Sequence, residues 1–279
     1  MAGLVDLKKD YPDVSLRAFA KLVGVAYWRL RDFIKREKAR QLRARKQAYL
    51  KAQVKRTALK HPTYGYRCLY LELQDQGFRI GKHKVRTLLA ELELNPPLPR
   101  KRRPKPKVTP VQHWPEGRRI QLDATNVKLA KGSAWVYIAQ DVDSRACLAI
   151  KVVEALSMHK AKQTLEEAVC CLRNQVIHET IVIQTDGGSD FTSHVFQQAC
   201  SQLGQWIRSK VNQKGGMGIL ERLNRTFKHE FCFRHHPQTF SQLYEITQAF
   251  KHWYNTIRKH TSIGFKTPWS VLNKHVILS

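Results

Sequence analysis

Three acidic residues, Asp123, Asp186 and Glu221, follow one another along the sequence in contexts that suit metal binding. Carboxylate oxygens are the ligands that hard divalent cations such as Mg²⁺ prefer. Two such ions, ~4 Å apart, can activate an attacking oxygen and stabilise a leaving one in phosphoryl displacement. Each acid taken alone would be interpreted as a surface or capping carboxylate, so the prediction depends on the elements that carry them.

Asp123 lies within residues 119–128, where apolar and polar residues alternate. This alternation predicts a strand with one buried face, which carries Ile120 and Leu122, while Asp123 points to the other side. A carboxylate in the middle of a strand is disfavoured by β-propensity and by desolvation. Asp123 therefore needs a partner, and a metal ion is one candidate.

Asp186 directly follows a short apolar run, residues 180–185, and precedes two glycines. Such a run predicts a buried strand, and the carboxyl ends of strands are the usual location of a site in an open α/β sheet. Between the two aspartates we expect strands at 135–140 and 146–153 and a helix at 158–174. After Asp186 we expect a helix at 193–203 and a strand at 205–211.

Glu221 begins a set of four residues that share one face of a helix predicted over residues 220–230, namely Glu221, Asn224, Arg225 and Lys228. The apolar residues of this helix form another face. A carboxylate, an amide and two cations in one stripe suit a site that holds metal and DNA phosphate together. The alternative is an ordinary amphipathic surface helix with an i,i+4 ion pair.

The net charge of the 279 residues is +27, which indicates a polyanionic partner and most simply nucleic acid. Residues 1–110 carry 28 Lys and Arg against 9 Asp and Glu, so this part is expected to be the main DNA-binding region. The six cysteines form no C-x-x-C pair, which argues against a zinc ribbon and fits a reducing compartment. Without a signal region or a membrane-spanning stretch, we expect a cytoplasmic protein.

Residues 1–60 are predicted to form a helix-turn-helix followed by a basic helix. Ser15 is the expected N-cap, Gly24 the turn and Leu30 the anchor of a second helix at about 25–36. The alternative is a helical hairpin with a basic face. The candidate DNA-contacting residues of the second helix are Tyr27, Arg29 and Arg31.

A second helix-turn-helix unit is predicted over residues 61–95, with helices at 68–75 and 82–94 and a break at Gly77. Its candidate DNA-contacting residues are Lys82, Lys84 and Arg86. Residues 96–118 read as a Pro-rich basic linker, which either contacts phosphates or is a solvated spacer. The candidate phosphate contacts of this linker are Arg100, Lys101, Arg102 and Arg103. The remaining domains are an α/β core at 119–257 and a C-terminal tail at 258–279.

The ordered acids and their surroundings resemble the catalytic core of the DDE transposases and retroviral integrases. More narrowly, the chain resembles the second-frame protein, OrfB, of the insertion-sequence-three family. The segments that carry the resemblance are residues 64–94, 121–125, 184–193, 221–228 and 254–268. One departure is that 34 residues separate Asp186 from Glu221, one fewer than is usual in the family.

The resemblance implies a ribonuclease-H-like integrase core with a mixed sheet behind an all-α helix-turn-helix region. It implies that Asp123, Asp186 and Glu221 bind two Mg²⁺ ions, which Mn²⁺ can replace. Water then cuts a strand at the element end and the freed 3′-hydroxyl joins other DNA, while Asn224, Arg225 and Lys228 position phosphates. The implied partners are terminal inverted repeats, target DNA, further copies of the chain and an upstream-frame OrfA protein, all at the bacterial nucleoid.

Two alternatives are weaker. A non-catalytic DNA-binding regulator derived from a transposase would keep the basic N-terminal region but would not need three ordered acids. A ribonuclease-H-like nuclease would need the acids, but it would need neither the N-terminal DNA-reading units nor the C-terminal signature at 254–268.

Overall fold

The computed structural model describes residues 2–95, 115–175, 180–209 and 216–273, and it divides into two compact units, residues 1–98 and 99–279. Most of the predicted linker, including the four cations at 100–103, lies outside the described residues. In the described part of the chain, no helix is long and apolar enough to cross a membrane.

The N-terminal unit is all-α, as predicted. Ser15 caps the second helix by accepting a hydrogen bond from the Ala18 N–H at 3.2 Å. Gly24 has a φ of +66°, a conformation that glycine adopts without strain, and it separates two helices whose contact buries Leu30 completely. The helices are α1 (Ala2–Lys9), α2 (Leu16–Leu22), α3 (Tyr27–Lys60), α4 (Tyr66–Asp75) and α5 (Lys82–Glu91).

Helix α3 is longer than predicted. The expected end of the second helix near Arg36 is wrong, because that helix and the predicted basic helix form a single α3 of 34 residues, Tyr27–Lys60, without a glycine or proline to interrupt it. Its first turns pack on α2, while Val54 and Ala58 near its end belong to the apolar core of α4 and α5. The predicted boundary at residue 60 therefore falls inside a packed cluster. Helix α5 ends at Glu91, three residues before the predicted end.

The C-terminal unit is built on a mixed five-stranded sheet, which confirms the predicted fold class. The strand order is β3-β2-β1-β4-β5, with β1–β2 and β2–β3 antiparallel and β4 parallel to both β1 and β5. The strands are β1 (Arg118–Lys128), β2 (Ser133–Asp141), β3 (Cys147–Val153), β4 (Ile181–Thr185) and β5 (Gln205–Arg208).

Helical segments cover both faces of this sheet. They are α6 (Met158–Arg173), α7 (His194–Leu203), α8 (Gly218–Thr226), a π-helical segment (Phe227–Cys232), α9 (Phe233–His235), α10 (Phe240–Thr256), a 3₁₀ turn (Thr261–Ile263) and α11 (Pro268–Leu272). Residues of α6 and α7 pack with Ile120 and Leu122 of β1, while residues of α8 and α10 pack with Val136 and Ile138 of β2.

The prediction that β1 has only one buried face is therefore wrong. Gln121 and Thr125, which lie on the face predicted to be open, are buried as well. A sheet with parallel strands is normally covered by helices on both sides, and simple alternation in a strand does not reveal the second cover.

Two further boundaries differ from the prediction. Arg118, assigned to the linker, begins β1 and forms a buried ion pair with Asp141, its Nη2 lying 2.8 Å from the carboxylate Oδ2. Leu272, assigned to the C-terminal tail, is fully buried in the core that contains Ile120. The described part of the predicted tail thus belongs to the packed C-terminal unit.

Candidate active site

Asp123 and Asp186 lie at the same level on neighbouring parallel strands. The register pairs Leu122 of β1 with Thr185 of β4, so each aspartate is the next residue along its chain. Parallel strands run about 4.8 Å apart. The sheet therefore brings the two predicted carboxylates together, with Asp123 half-buried and Asp186 exposed.

The surroundings of Asp123 suit a bound cation. Its carboxylate accepts hydrogen bonds from the Ala124 N–H at 2.8 Å and from Asn224 Nδ2 at 3.0 Å. Burial and, next in size, the negative charge of Asp186 together raise the pKa of Asp123 to about 6. Asn224 Oδ1 is buried without a hydrogen-bond partner among the described residues. Oxygen donors and uncompensated negative charge are what a hard divalent cation would satisfy.

Glu221 stands apart from this pair. It lies on α8 one turn before Asn224, on the same helical face, and its side chain is exposed. Within the described ranges, no three His, Cys, Asp or Glu residues are grouped closely enough to hold a metal ion. The structure thus brings two of the three predicted acids together and places the third on the helix whose Asn224 contacts Asp123.

The predicted four-residue stripe is not one continuous surface. Asn224 is buried against Asp123, Arg225 is half-buried, and Lys228 lies beyond the end of α8 in the π-helical segment. The wider turn of a π-helix changes the spacing on which the stripe was predicted. Lys228 lines a cavity together with Asn126 and Lys128.

A buried pair of glutamines connects the elements of the site. Gln121 of β1 donates to Gln184 Oε1 of β4 at 3.0 Å, and Gln184 in turn donates to Ser209 Oγ at 2.8 Å. Gln121 also accepts from the Leu220 N–H at 3.0 Å and donates to the carbonyl of Gly216. The pair therefore connects β1 and β4 to Ser209, to Gly216 and to the start of α8.

Asp190 is a fourth acid at the site that the sequence reasoning did not single out. It is buried and accepts a hydrogen bond from the Tyr137 hydroxyl at 2.6 Å. Burial and this hydrogen bond raise the pKa of Tyr137. The charge of Asp190 contributes to the raised pKa of Asp123. The available signal was a second aspartate four residues after Asp186, next to a phenylalanine that belongs to the core.

Arg208 is a second residue that the sequence did not reveal. A Cβ built on Gly187 would lie 2.6 Å from Arg208 Nη2, so the guanidinium covers the residue that follows Asp186. Only the parallel pairing of β4 with β5, with Thr185 opposite Arg208, creates this proximity. The arrangement places an exposed cation beside the acidic pair.

The predicted DNA-contacting residues of the N-terminal unit are mostly accessible. Tyr27, Arg29 and Arg31 are exposed at the start of α3. Of the three cations on α5, Lys82 and Arg86 are exposed and Lys84 is half-buried. Their positions allow contact with a ligand.

Comparisons with known families define the class of protein. Sequence profiles described as integrase core domain match residues 115–213 and 196–268, and a profile described as HTH-like domain matches residues 44–102. The chain therefore has an HTH-like domain followed by an integrase core.

Its relatives include proteins of insertion sequences, which confirms the predicted resemblance. The transposase for insertion sequence element IS904 of Lactococcus lactis is 27% identical over 153 residues, which are 52% of this chain and 57% of that protein. A protein of insertion sequence element IS986/IS6110 of Mycobacterium tuberculosis is 23% identical over 256 residues, 85% of this chain and 91% of that protein. Among solved structures, the catalytic core domain of HTLV-2 integrase in complex with magnesium matches with a TM-score of 0.44 and 18% identity, covering 55% of this chain and 94% of that one.

Proposed function

We propose that the chain is a DNA transposase that cuts strands at the ends of an insertion sequence and joins the freed 3′-hydroxyl to target DNA. The observation that carries this proposal is the pair Asp123 and Asp186, side by side on parallel strands with the pKa of Asp123 raised. An integrase core and relatives from insertion sequences support it.

Asp123 and Asp186 are the residues that would hold Mg²⁺, and Glu221 would supply the third carboxylate from the face of α8 that carries Asn224. Two bound ions would activate the attacking oxygen and stabilise the leaving one, and Mn²⁺ could replace them. Asn224 orients the carboxylate of Asp123 through its 3.0 Å hydrogen bond. The buried glutamine pair fixes the start of α8 relative to both strands.

Cations around the acids would hold the substrate phosphates. Arg208 covers the turn after Asp186, and Arg225 and Lys228 follow Asn224 along the chain. The exposed residues of α3 and α5, with the basic segment 100–103, would bind the flanking duplex. By the same resemblance, the active species would be an oligomer on paired inverted repeats at the bacterial nucleoid, with an upstream-frame OrfA protein as a further partner.

A joining assay tests the proposal. The full chain is incubated with Mg²⁺ or Mn²⁺ and a labelled duplex that carries the inverted repeat flanking its gene, together with supercoiled target DNA. We expect metal-dependent joined products from the wild type, and a loss of roughly a hundredfold or more in Asp186→Asn, because electrostatic stabilisation of the transition state is removed. Asp143→Asn is the matched control, since Asp143 is an exposed aspartate of the β2–β3 turn.

The outcomes separate the alternatives. Joining that Asp186→Asn abolishes and Asp143→Asn preserves supports a transposase. Cutting without joining would favour a ribonuclease-H-like nuclease. Binding to the repeat with neither activity would contradict catalysis and favour a DNA-binding regulator.

A further inference from the structure

A cavity of about 620 Å³ opens at the end of β1, where the chain turns toward β2 and meets the π-helical segment. Its apolar wall includes Val127, Cys232 and Pro237, all of which are buried. Sites for small ligands are usually concave, mostly apolar and roughly 300–1,000 Å³ in volume. The cavity is thus large enough for a nucleobase and too small for a duplex or a folded partner.

The polar lining of the cavity is cationic. Lys128 and Lys228 both line it, together with His236, and none of the described residues that line it is acidic. Phe233 adds an aromatic ring whose residue is 56% exposed and is therefore accessible to a ligand. An aromatic platform beside cations is how proteins hold single-stranded nucleic acid, with stacked bases and paired phosphates.

The cavity is a short step from the proposed catalytic acids. Val127, which lines it, lies four residues after Asp123 on the same face of β1, or ~13 Å along the strand. Lys228 lies four residues after Asn224, about one helical turn from the contact between Asn224 and Asp123. Strand β1 and the helical segment after Asn224 therefore both lead from Asp123 to the cavity.

We propose that this cavity binds one unstacked base of the DNA strand that continues from the scissile phosphate. The base lies against Phe233 and the apolar wall, and the phosphates on either side of it pair with Lys128 and Lys228. Enzymes that modify a DNA base take that nucleotide out of the stack into such a pocket, and stacking of a base on an aromatic side chain does not require chemistry on the base. This inference rests on the proposed function, because that function places the strand at Asp123.

Photo-cross-linking of the full chain tests the inference without catalysis. The probe is a 12-nucleotide thymidylate oligomer with one 5-iododeoxyuridine, irradiated in EDTA with wild-type protein and mapped by mass spectrometry. We expect an adduct within residues 228–238. The double variant Lys128→Ala/Lys228→Ala should lower the yield of this adduct at least fivefold, and Phe233→Trp should keep it because a larger ring still stacks.

Control variants remove similar side chains elsewhere on the same unit. Phe240→Ala and Lys160→Ala truncate an exposed phenylalanine of α10 and an exposed lysine of α6 that do not line the cavity. Their adduct yields should equal that of the wild type. Circular dichroism and thermal melting confirm that each variant is folded, which is expected because the substituted side chains are not part of the apolar cores.

Three results would overturn the inference: adducts only in the N-terminal unit, an adduct yield unchanged in the double lysine variant, or loss of self-association in Phe233→Ala with DNA adducts intact. The last result would assign the cavity to a second copy of the chain. Failure of the proposed function would give a different result from failure of this inference. In that case the cavity adduct forms, but the joining assay gives no metal-dependent product.

Discussion

The two units of the molecule place their polar groups in opposite ways. Among the described residues of the N-terminal unit, Thr57 is the only polar residue classed as buried, and the cations of α3 and α5 lie mainly on the surface. The C-terminal unit buries an ion pair, Arg118 with Asp141, and two glutamines between its strands. It also buries Asp190, which accepts a hydrogen bond from the Tyr137 hydroxyl.

This difference separates binding from positioning. Exposed cations contribute little to folding, because water and salt screen them, and they stay available for phosphates. Buried polar groups cost desolvation, and a missing partner costs more, so each one fixes the location of the other. We therefore expect substitutions in the first unit to change affinity, and substitutions in the buried networks of the second unit to change stability and catalysis together.

The largest effect is expected from the buried ion pair. Arg118→Leu leaves the carboxylate of Asp141 buried without its guanidinium, which should lower the free energy of unfolding of the C-terminal unit by about 3–5 kcal/mol. Urea denaturation followed by tryptophan fluorescence measures this, since five of the six tryptophans lie after residue 98. The double variant Arg118→Leu/Asp141→Leu should recover part of the loss. If Arg118→Leu is as stable as the wild type, buried polar groups do not stabilise the C-terminal unit more than exposed ones stabilise the N-terminal unit.

The glutamine pair should couple stability to activity. Gln121→Leu removes the partner of the Leu220 N–H, the Gly216 carbonyl and the Gln184 side chain. This should lower the free energy of unfolding by about 1–3 kcal/mol. Because α8 loses its tie to β1, joining activity should fall at least tenfold at temperatures where the variant is folded. Gln163→Leu on the exposed side of α6 is the control and should retain activity. Normal activity in folded Gln121→Leu would show that the pair does not position α8.

The half-buried His260 predicts a pH dependence for the C-terminal unit. Burial lowers its pKa from 6.5 to about 3, and the positive charges of Arg258 and Arg145 act in the same direction. Below pH 6.5 His260 binds a proton in the unfolded chain but not in the folded one. Its contribution to the free energy of unfolding is therefore fully present above pH 6.5 and is lost as the pH falls toward 3. The expected loss between pH 6.5 and pH 5 is about 1–2 kcal/mol.

Urea titrations at these two pH values test this dependence, and His260→Phe should flatten it. His260 contacts Tyr254 edge-on, so the phenylalanine ring can keep this packing. His252→Phe, on an exposed turn of α10, is the control that should leave the dependence unchanged. If the unfolding free energy of the wild type stays constant between pH 6.5 and pH 5, the pKa of folded His260 is not lowered and this prediction is wrong.

The smallest change in stability is expected in the N-terminal unit. Arg29→Ala and Arg31→Ala should shift the unfolding free energy by no more than about 0.5 kcal/mol, because both residues are exposed. DNA affinity should nevertheless fall, and each lost phosphate contact should reduce the slope of log affinity against log salt by roughly one unit. The same loss of slope is expected when residues 100–103 are replaced by alanine. Unchanged slopes would make these cations a solvated surface.

The sequence predicted most elements of the C-terminal unit because their signals are local. The helix at 158–174 and the strands around Asp123 and before Asp186 occur within a residue or two of their predicted bounds. The N-cap Ser15, the turn at Gly24 and the buried Leu30 were predicted for the same reason. The sequence predicted helix on both sides of Arg36, but it did not predict that the two helices are one continuous α3, because the first had been ended at the length of a helix-turn-helix motif.

By itself, the sequence determined the identity and order of Asp123, Asp186 and Glu221 and the elements that carry them, because strand and helix periodicity depends on residues that are close together in the sequence. Only the tertiary structure decided that Asp123 and Asp186 share one level, that Asn224 turns inward to Asp123, and that Gln121 and Gln184 hold the start of α8. The reason is that these contacts join residues 63 or more positions apart, and their partners are set by strand register and helix packing.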